Sequence, residues 1–251
     1  MSEPILELRD VDKSIFEPGR EIPVLEKIRF SVEPHNFLVL VGPSGCGKST
    51  LLRMIVGLEP PTRGEVIFLG EPIRPENPKI SMVFQSFAIF PWLTVQGNVE
   101  LGLEALKVAE KPRHARARQY IEAVGLAGFE DAYPRELSRG MKQRVGIARA
   151  LALEPVLLCM DEPFSSLDAF TAQNLRDEVL QLWALPELPP EAVVMVTHDI
   201  EEAVYMADRI VVLSHRPGRL LAEMEIDLPR PRNRKEPEFY GWVDEIYSLI
   251  V

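Results

Sequence analysis

The chain has 251 residues, 46% of them hydrophobic, enough for one large α/β domain or for a domain carrying a subdomain. Its 28 Lys and Arg against 38 Asp and Glu leave a formal charge of −10, which weighs against general nucleic-acid binding. The polar, acidic start MSEPILELRD does not read as a secretory signal, and apolar runs such as VVMV and VLLCM fall far short of the roughly twenty residues of a bilayer span. Cys46 and Cys159 have no metal-type spacing and suit a reducing cytosol.

In chain order, ILELRDVDKSI and VLEKIRFSV alternate as strands do, with the turn-rich EPGREIP between them. FLVLVG is a continuous apolar run, as expected of a strand buried on both faces, and a helix should follow from Lys48 to about Val56. GEVIFLG and ISMVFQ read as further strands. From Thr94 to Leu153 the pattern is mostly helical, with breaks expected at Pro112, Gly125, Gly128 and Pro134. Within it, LSRGMKQRVGIARAL starts a helix with Ser138 as N-cap and an apolar face of Met141, Val145, Ala148 and Ala152. VLLCMD, a helix over about 168–185, VVMVTH, a short helix through DIEEAVYMA and the strand RIVVLS complete an α/β alternation. The expectation is one domain over 1–251, with a mainly parallel core, a helical subdomain at about 88–154 and a C-terminal tail at about 228–251. In that tail LPRPRNRKEP reads as an exposed basic linker and FYGWVDEIYSLIV as a docking helix.

GPSGCGKST follows a buried strand and opens a helix, the context that makes G-x-x-x-x-G-K-[ST] a phosphate loop and not an ordinary Gly-rich turn. Gly42, Pro43, Ser44, Gly45, Cys46, Gly47, Lys48, Ser49 and Thr50 form it. Its glycines let successive N–H groups point into one nest, Lys48 should reach the β- and γ-phosphates, and the Ser49 hydroxyl should hold Mg²⁺. Cys46 reads as a small packed thiol and not as a nucleophile. VLLCMDEP places two carboxylates at the carboxyl end of a buried strand, the edge where α/β sheets bind ligands. Asp161 is expected to complete the Mg²⁺ shell, and Glu162 to orient or deprotonate the attacking water. Gln85 and His198 each follow a core strand, Gln85 as a ligand to Mg²⁺ or its water and His198 toward the γ-phosphate. The helix start at Ser138 is a second anion site, because first-turn N–H groups lack partners inside a helix.

Together these residues closely resemble the nucleotide-binding subunits of ABC transporters. The phosphate loop, Gln85, LSRGM, VLLCMDEP, SSLD and His198 occur in the family order over most of the chain. The resemblance implies a P-loop NTPase with a RecA-like parallel core, an N-terminal antiparallel β part and an α-helical subdomain. It also implies ATP and Mg²⁺, and a homodimer in the ATP-bound state. In that dimer Ser138, Arg139, Gly140, Met141 and Asp168 serve the partner's ATP. The second anion site is then explained: it completes a site begun on another copy. The family usually reads LSGGQ or LSGGM, so Arg139 replaces the first Gly; its side chain contacts phosphate or points to solvent, and function should survive. An aromatic often stands two residues after a lysine like Lys13, which here gives Ile15; adjacent Phe16 is preferred as the adenine stacker.

FPWLTVQGNVELGLEAL and VTHDIEEAVYMADRIVVLSHRPGRL look like the ATP-binding subunits of the nitrate, sulfonate and taurine importer group, with PWLTV and RPGR the specific parts. That resemblance implies a subunit held at the inner face of the cell membrane by permease subunits, and served indirectly by a solute-binding protein. Phe87, Phe90 and Trp92 are then permease contacts or, alternatively, core of the helical subdomain. An ATPase of another ABC system shares every ATP residue. A non-transport ABC ATPase should show a coiled-coil insertion, a second nucleotide domain or basic patches, and a small-molecule kinase would not explain LSRGM or SSLD.

Overall fold

The computed structural model describes residues 3–185 and 189–250. The elements are β1 (Leu6–Glu17), β2 (Arg20–Val32), β3 (Phe37–Val41), α1 (Lys48–Ile55), β4 (Arg63–Phe68), β5 (Glu71–Pro72) and β6 (Ile80–Val83). Then come α2 (Val95–Ala105), α3 (Glu110–Ala123), a 3-10 turn at Pro134–Glu136, α4 (Arg139–Leu151), β7 (Leu157–Asp161) and α5 (Ala169–Trp183). The chain ends with β8 (Ala192–Thr197), α6 (Ile200–Met206), β9 (Arg209–Leu213), β10 (Leu220–Glu225) and α7 (Pro237–Ile250). They fall into two compact units, one of residues 1–77 with 191–251, the other of residues 78–190.

In the first unit β1 pairs antiparallel with β2 on one side and β4 on the other, and β5 pairs with β4. The hairpin is longer than EPGREIP suggests: the strands run to Glu17 and from Arg20, and Pro18–Gly19 alone make the turn. The parallel part places β3 between β8 and β9, with β10 antiparallel outside β9. All five residues of β3 are buried, as are all six of β8. Burying a Val or Leu side chain stabilises by about 1.5–3 kcal/mol, so an apolar run with no polar alternation belongs in the middle of the sheet. β10 has no counterpart in the sequence reading, because LLAEME alternates half-buried with exposed residues along an edge.

The basic tail departs from the exposed linker that its composition suggests. The Arg232 guanidinium is buried, 7% exposed, and donates to the carbonyls of Val204, Ala207, Ile226 and Leu228. Burial pushes it down to about 10. Arg230 donates to Asp208 and to the Met206 carbonyl. The two arginines satisfy carbonyls at the end of α6 that the helix itself cannot pair. α7 then packs on α6 and β9 through buried Phe239 and Ile246.

In the second unit β6 and β7 are parallel, and α2, α3 and α4 pack together while α4 also meets β6 and α5. Pro112 does not break the chain; it stands in the first turn of α3, where a missing N–H leaves no hydrogen bond unmade. No helix among the described residues is long and apolar enough to cross a membrane.

Candidate functional site

In the first unit, Val41 of β3 pairs with Thr197 of β8 and with Val212 of β9. Gly42, His198 and Ser214 therefore leave the sheet at one edge, the carboxyl edge where parallel sheets hold ligands. Gly45 and Gly47 take φ of +78° and +107°, the left-handed region that turns successive N–H groups to one side. Gly47 caps α1 without a side chain, so nothing local competes for the first-turn donors. Lys48 is 5% exposed, and its Nζ donates to the carbonyls of Gly42 at 2.8 Å and Pro43 at 3.0 Å. The lysine thus straps the loop around its own cation. Cys46 is buried, and burial pushes its thiol up, which fits packing and not nucleophilic chemistry. Ser44 and Gly45 are exposed; Pro43, Ser49 and Thr50 are half-buried. His198 is exposed immediately after β8. On the β1–β2 hairpin Phe16 is 68% and Ile15 48% exposed, on opposite faces of the strand, so only one of them can cover a given base.

In the second unit Val83 pairs with Met160, which puts Gln85 and Glu162 beyond the same ends of β6 and β7. Asp161 is buried at the end of β7. Gln85 Nε2 donates to Glu162 Oε2 at 3.3 Å and to Ser165 Oγ at 3.2 Å, and Ser165 Oγ donates to the Glu162 carbonyl at 3.0 Å. Glu162 takes φ of +43°, a conformation costing on the order of 1–3 kcal/mol for a non-glycine residue. Its carboxylate is therefore aimed by both backbone and neighbours. The Ser165 role lay hidden inside SSLD. Asp168, from the same segment, caps α5: it accepts the Thr171 N–H at 3.0 Å, and that backbone bond holds its carboxyl below the usual carboxylate range.

The start of α4 is built as its sequence suggests. Ser138 is exposed and its Oγ accepts the Met141 N–H at 3.3 Å, while Val145, Ala148 and Ala152 are buried. Arg139 is exposed and Met141 half-buried. Gly140 has a further reason that no motif reveals. A methyl group there would sit 2.5 Å from Thr171 Cγ2 on α5.

The stretch after Gln85 is fixed at several points. Phe87 and Ala88 both take positive φ, and the Arg149 guanidinium of α4 donates to both their carbonyls, at 3.2 and 2.6 Å. Asn98 accepts the Phe90 N–H at 2.7 Å and donates to the carbonyls of Phe90, Leu93 and Thr94. Phe87 and Phe90 are half-buried, whereas Trp92 is 69% exposed and meets Phe90 edge-on with ring centroids 5.4 Å apart. Trp92 is thus not core. Asn98 and Arg149 were missed in the sequence because both sit on polar-apolar helices, where such residues usually face solvent.

A family model described as ABC transporter matches residues 25–165. The nitrate import ATP-binding protein NrtD of Synechocystis is 42% identical, covering 98% of this chain and 94% of its own length. The aliphatic sulfonates import ATP-binding protein SsuB of Bacillus subtilis is 44% identical over 94% of this chain and 91% of its own. An uncharacterized ABC transporter ATP-binding protein of Methanocaldococcus jannaschii is 45% identical over 94% and 88%. Among solved structures, the dimer of an ATP-binding cassette in a post-hydrolysis state, bound to ADP and Pi, matches with a TM-score of 0.77. It is 31% identical and covers 89% of this chain and all of its own. The motif order that the phosphate loop, Gln85, Glu162 and the start of α4 follow is accordingly inherited: the chain belongs to the ABC transporter family, as one of its ATP-binding, ATP-hydrolysing subunits.

Proposed function

We propose that this subunit powers an importer of nitrate, sulfonate, taurine or a related small solute, working as an ATP-driven homodimer. The observation that carries the reading is that the named nitrate and aliphatic sulfonate import subunits match over more than nine tenths of both chains. Lys48 and the loop N–H groups receive the β- and γ-phosphates. Gln85 holds the Glu162 carboxylate, which takes the proton of the attacking water, and His198 holds the γ-phosphate. Ser49, Gln85 and Asp161 offer hydroxyl, amide and carboxylate oxygens, a hard donor set that fits Mg²⁺. When bound, that ion neutralises charge on the phosphates. Ser138, Arg139, Gly140, Met141 and Asp168 face the nucleotide of the partner copy, and Phe16 stacks on adenine. Phe87, Phe90 and Trp92 contact a permease, which keeps the subunit on the cytoplasmic side of the membrane and links it indirectly to a solute-binding protein.

The reading is tested with Glu162→Gln. The amide still accepts a hydrogen bond from Gln85 but cannot take a proton. Hydrolysis should fall by about 10²–10⁴-fold, the usual contribution of a general base. ATP binding should persist, and an ATP-bound dimer should accumulate on size-exclusion chromatography. Turnover near wild type, or a monomer in saturating Mg-ATP, overturns the assignment. Uptake of labelled nitrate or alkanesulfonate by proteoliposomes holding the subunit with its co-purified permease decides the solute class.

A further inference from the structure

RPGR carries a resemblance but no role in nucleotide chemistry, and the chain around it lies against the phosphate loop. Two glycines, one on each side of that contact, have no room for a side chain. A methyl at Gly42, inside the loop, would lie 2.8 Å from the Leu213 carbonyl oxygen. A methyl at Gly218, in RPGR, would lie 2.3 Å from the Cys46 carbonyl oxygen and 3.0 Å from Leu25 Cδ2. Leu25 in turn backs the loop at Gly47, where a methyl would meet the same Cδ2 at 2.9 Å. Gly218 is not among the positive-φ residues, so its backbone would accept any side chain; space alone excludes one.

The wall is held independently of the loop. Gly218 N–H donates to the Val24 carbonyl at 2.8 Å, and Glu26 N–H to the Gly218 carbonyl at 3.0 Å, which stitches the turn onto β2. Arg219 grips Glu26 with Nε and Nη2, and Arg216 Nε donates to the Pro23 carbonyl. Ser214 closes the turn: its N–H donates to the Arg219 carbonyl and its Oγ accepts the Arg219 N–H, both at 2.9 Å. A nest binds an anion through the direction of its N–H groups, so its affinity depends on what presses on the back of the loop. We infer that the 213–218 segment and Leu25 form a back wall that sets the shape of the phosphate loop, with Gly218 and Leu25 as positioning residues for ATP.

This inference rests on the reading of Gly42–Thr50 as the ATP-phosphate loop. A side chain at Gly218 displaces the Cys46 carbonyl by about 1 Å, the distance needed to relieve the clash, and turns with it the Gly47 N–H of the same peptide away from an anion in the nest. Gly218→Ala should therefore weaken Mg-ATP binding in isothermal titration by about tenfold or more, the scale of losing one hydrogen bond to a charged group. KM for ATP should rise in parallel, with kcat at saturation within about twofold, since the groups of the hydrolytic step are untouched. A merely structural role gives the opposite split: a loss of active protein that lowers kcat and leaves KM unchanged. Leu25→Val, which shortens the wall without crowding it, should raise KM by about threefold; because Leu25 is fully buried, the nucleotide-free melting temperature should also fall by roughly 2–4 °C with the protein still folded. It decides the matter if Gly218→Ala fails to fold. ATP affinity within twofold of wild type in Gly218→Ala, or in Leu25→Val where that variant decides, overturns the inference. Lys48→Ala, measured beside them, separates the two failures. If it binds ATP normally, the phosphate-loop reading itself falls; if it loses ATP while the wall variants keep it, only the wall does.

Discussion

Gly140 has two independent reasons to be glycine, and a double-mutant cycle separates them. On α4 it is the second helical residue, where alanine is intrinsically better by up to about 1 kcal/mol. Against that, its methyl would stand 2.5 Å from Thr171 Cγ2, well inside any tolerated contact. Overpacking of this kind costs about 1–3 kcal/mol, so Gly140→Ala should destabilise by a net ~1–2 kcal/mol. Thr171→Ser deletes the offending Cγ2 and keeps the hydroxyl. In that background Gly140→Ala should become neutral or mildly stabilising, giving a coupling of about 1–3 kcal/mol. Urea unfolding of the four proteins measures it. ATPase activity then reports the other reason. If the Gly140 N–H also approaches a partner's phosphate, the double mutant regains stability while its hydrolysis stays depressed. A Gly140→Ala penalty equal in both backgrounds refutes the packing argument.

Two further outcomes are expected. Phe90→Ala with Trp92→Ala should leave basal ATP hydrolysis near wild type, because Asn98 still holds the segment through four hydrogen bonds. Permease co-purification should fall by at least tenfold, the scale of losing aromatic anchors worth above about 1.4 kcal/mol, and unchanged co-purification with full uptake removes the permease role. His114 on α3 is raised above 6.5, first by its hydrogen bond with Glu100 and further by the charges of Glu100 and Glu110. A raised histidine stabilises fully below its unfolded pKa and loses that contribution as pH climbs through the folded value. The urea midpoint of wild type should therefore exceed that of His114→Asn at about pH 6, with the gap closing by about pH 8.5; a constant gap would show that the pair does not titrate.

Much of the site was legible because its chemistry is local. Glycines, a lysine and a hydroxyl within nine consecutive positions directly after a buried strand carry their own context, and so do two acids closing an apolar strand. What escaped the sequence depends on partners far along the chain. Gly140 looks like a signature glycine, but Thr171 alone forbids it a side chain, 31 positions later. Arg232 has the composition of a solvated linker, yet it is buried because Val204 and Ala207 have carbonyls to satisfy. RPGR was read as a badge of resemblance, since nothing in four residues reveals that the Cys46 carbonyl presses on its glycine. Charge and glycine count describe what a residue can do; only tertiary contact says which demand it answers.

That distinction bears on why one chain carries two helix starts that favour anions. The start of α1 is assembled in advance: a glycine cap, a nest of left-handed glycines and a buried lysine already wrapped by the loop. The start of α4 has an exposed serine and backbone donors, and the cations beside its cap, Arg135 and Arg139, are exposed. An anion at a helix N-terminus gains about 0.3–1 kcal/mol, and at most about 2 in sheltered geometry. Even millimolar capture of a nucleotide requires about 4 kcal/mol. The α4 start therefore falls short of holding a nucleotide alone, whereas a few tens-fold of extra affinity is ample for one already bound elsewhere. By magnitude, its chemistry fits the proposed role of the α4 start, closing over a ligand that the phosphate loop of another copy already holds.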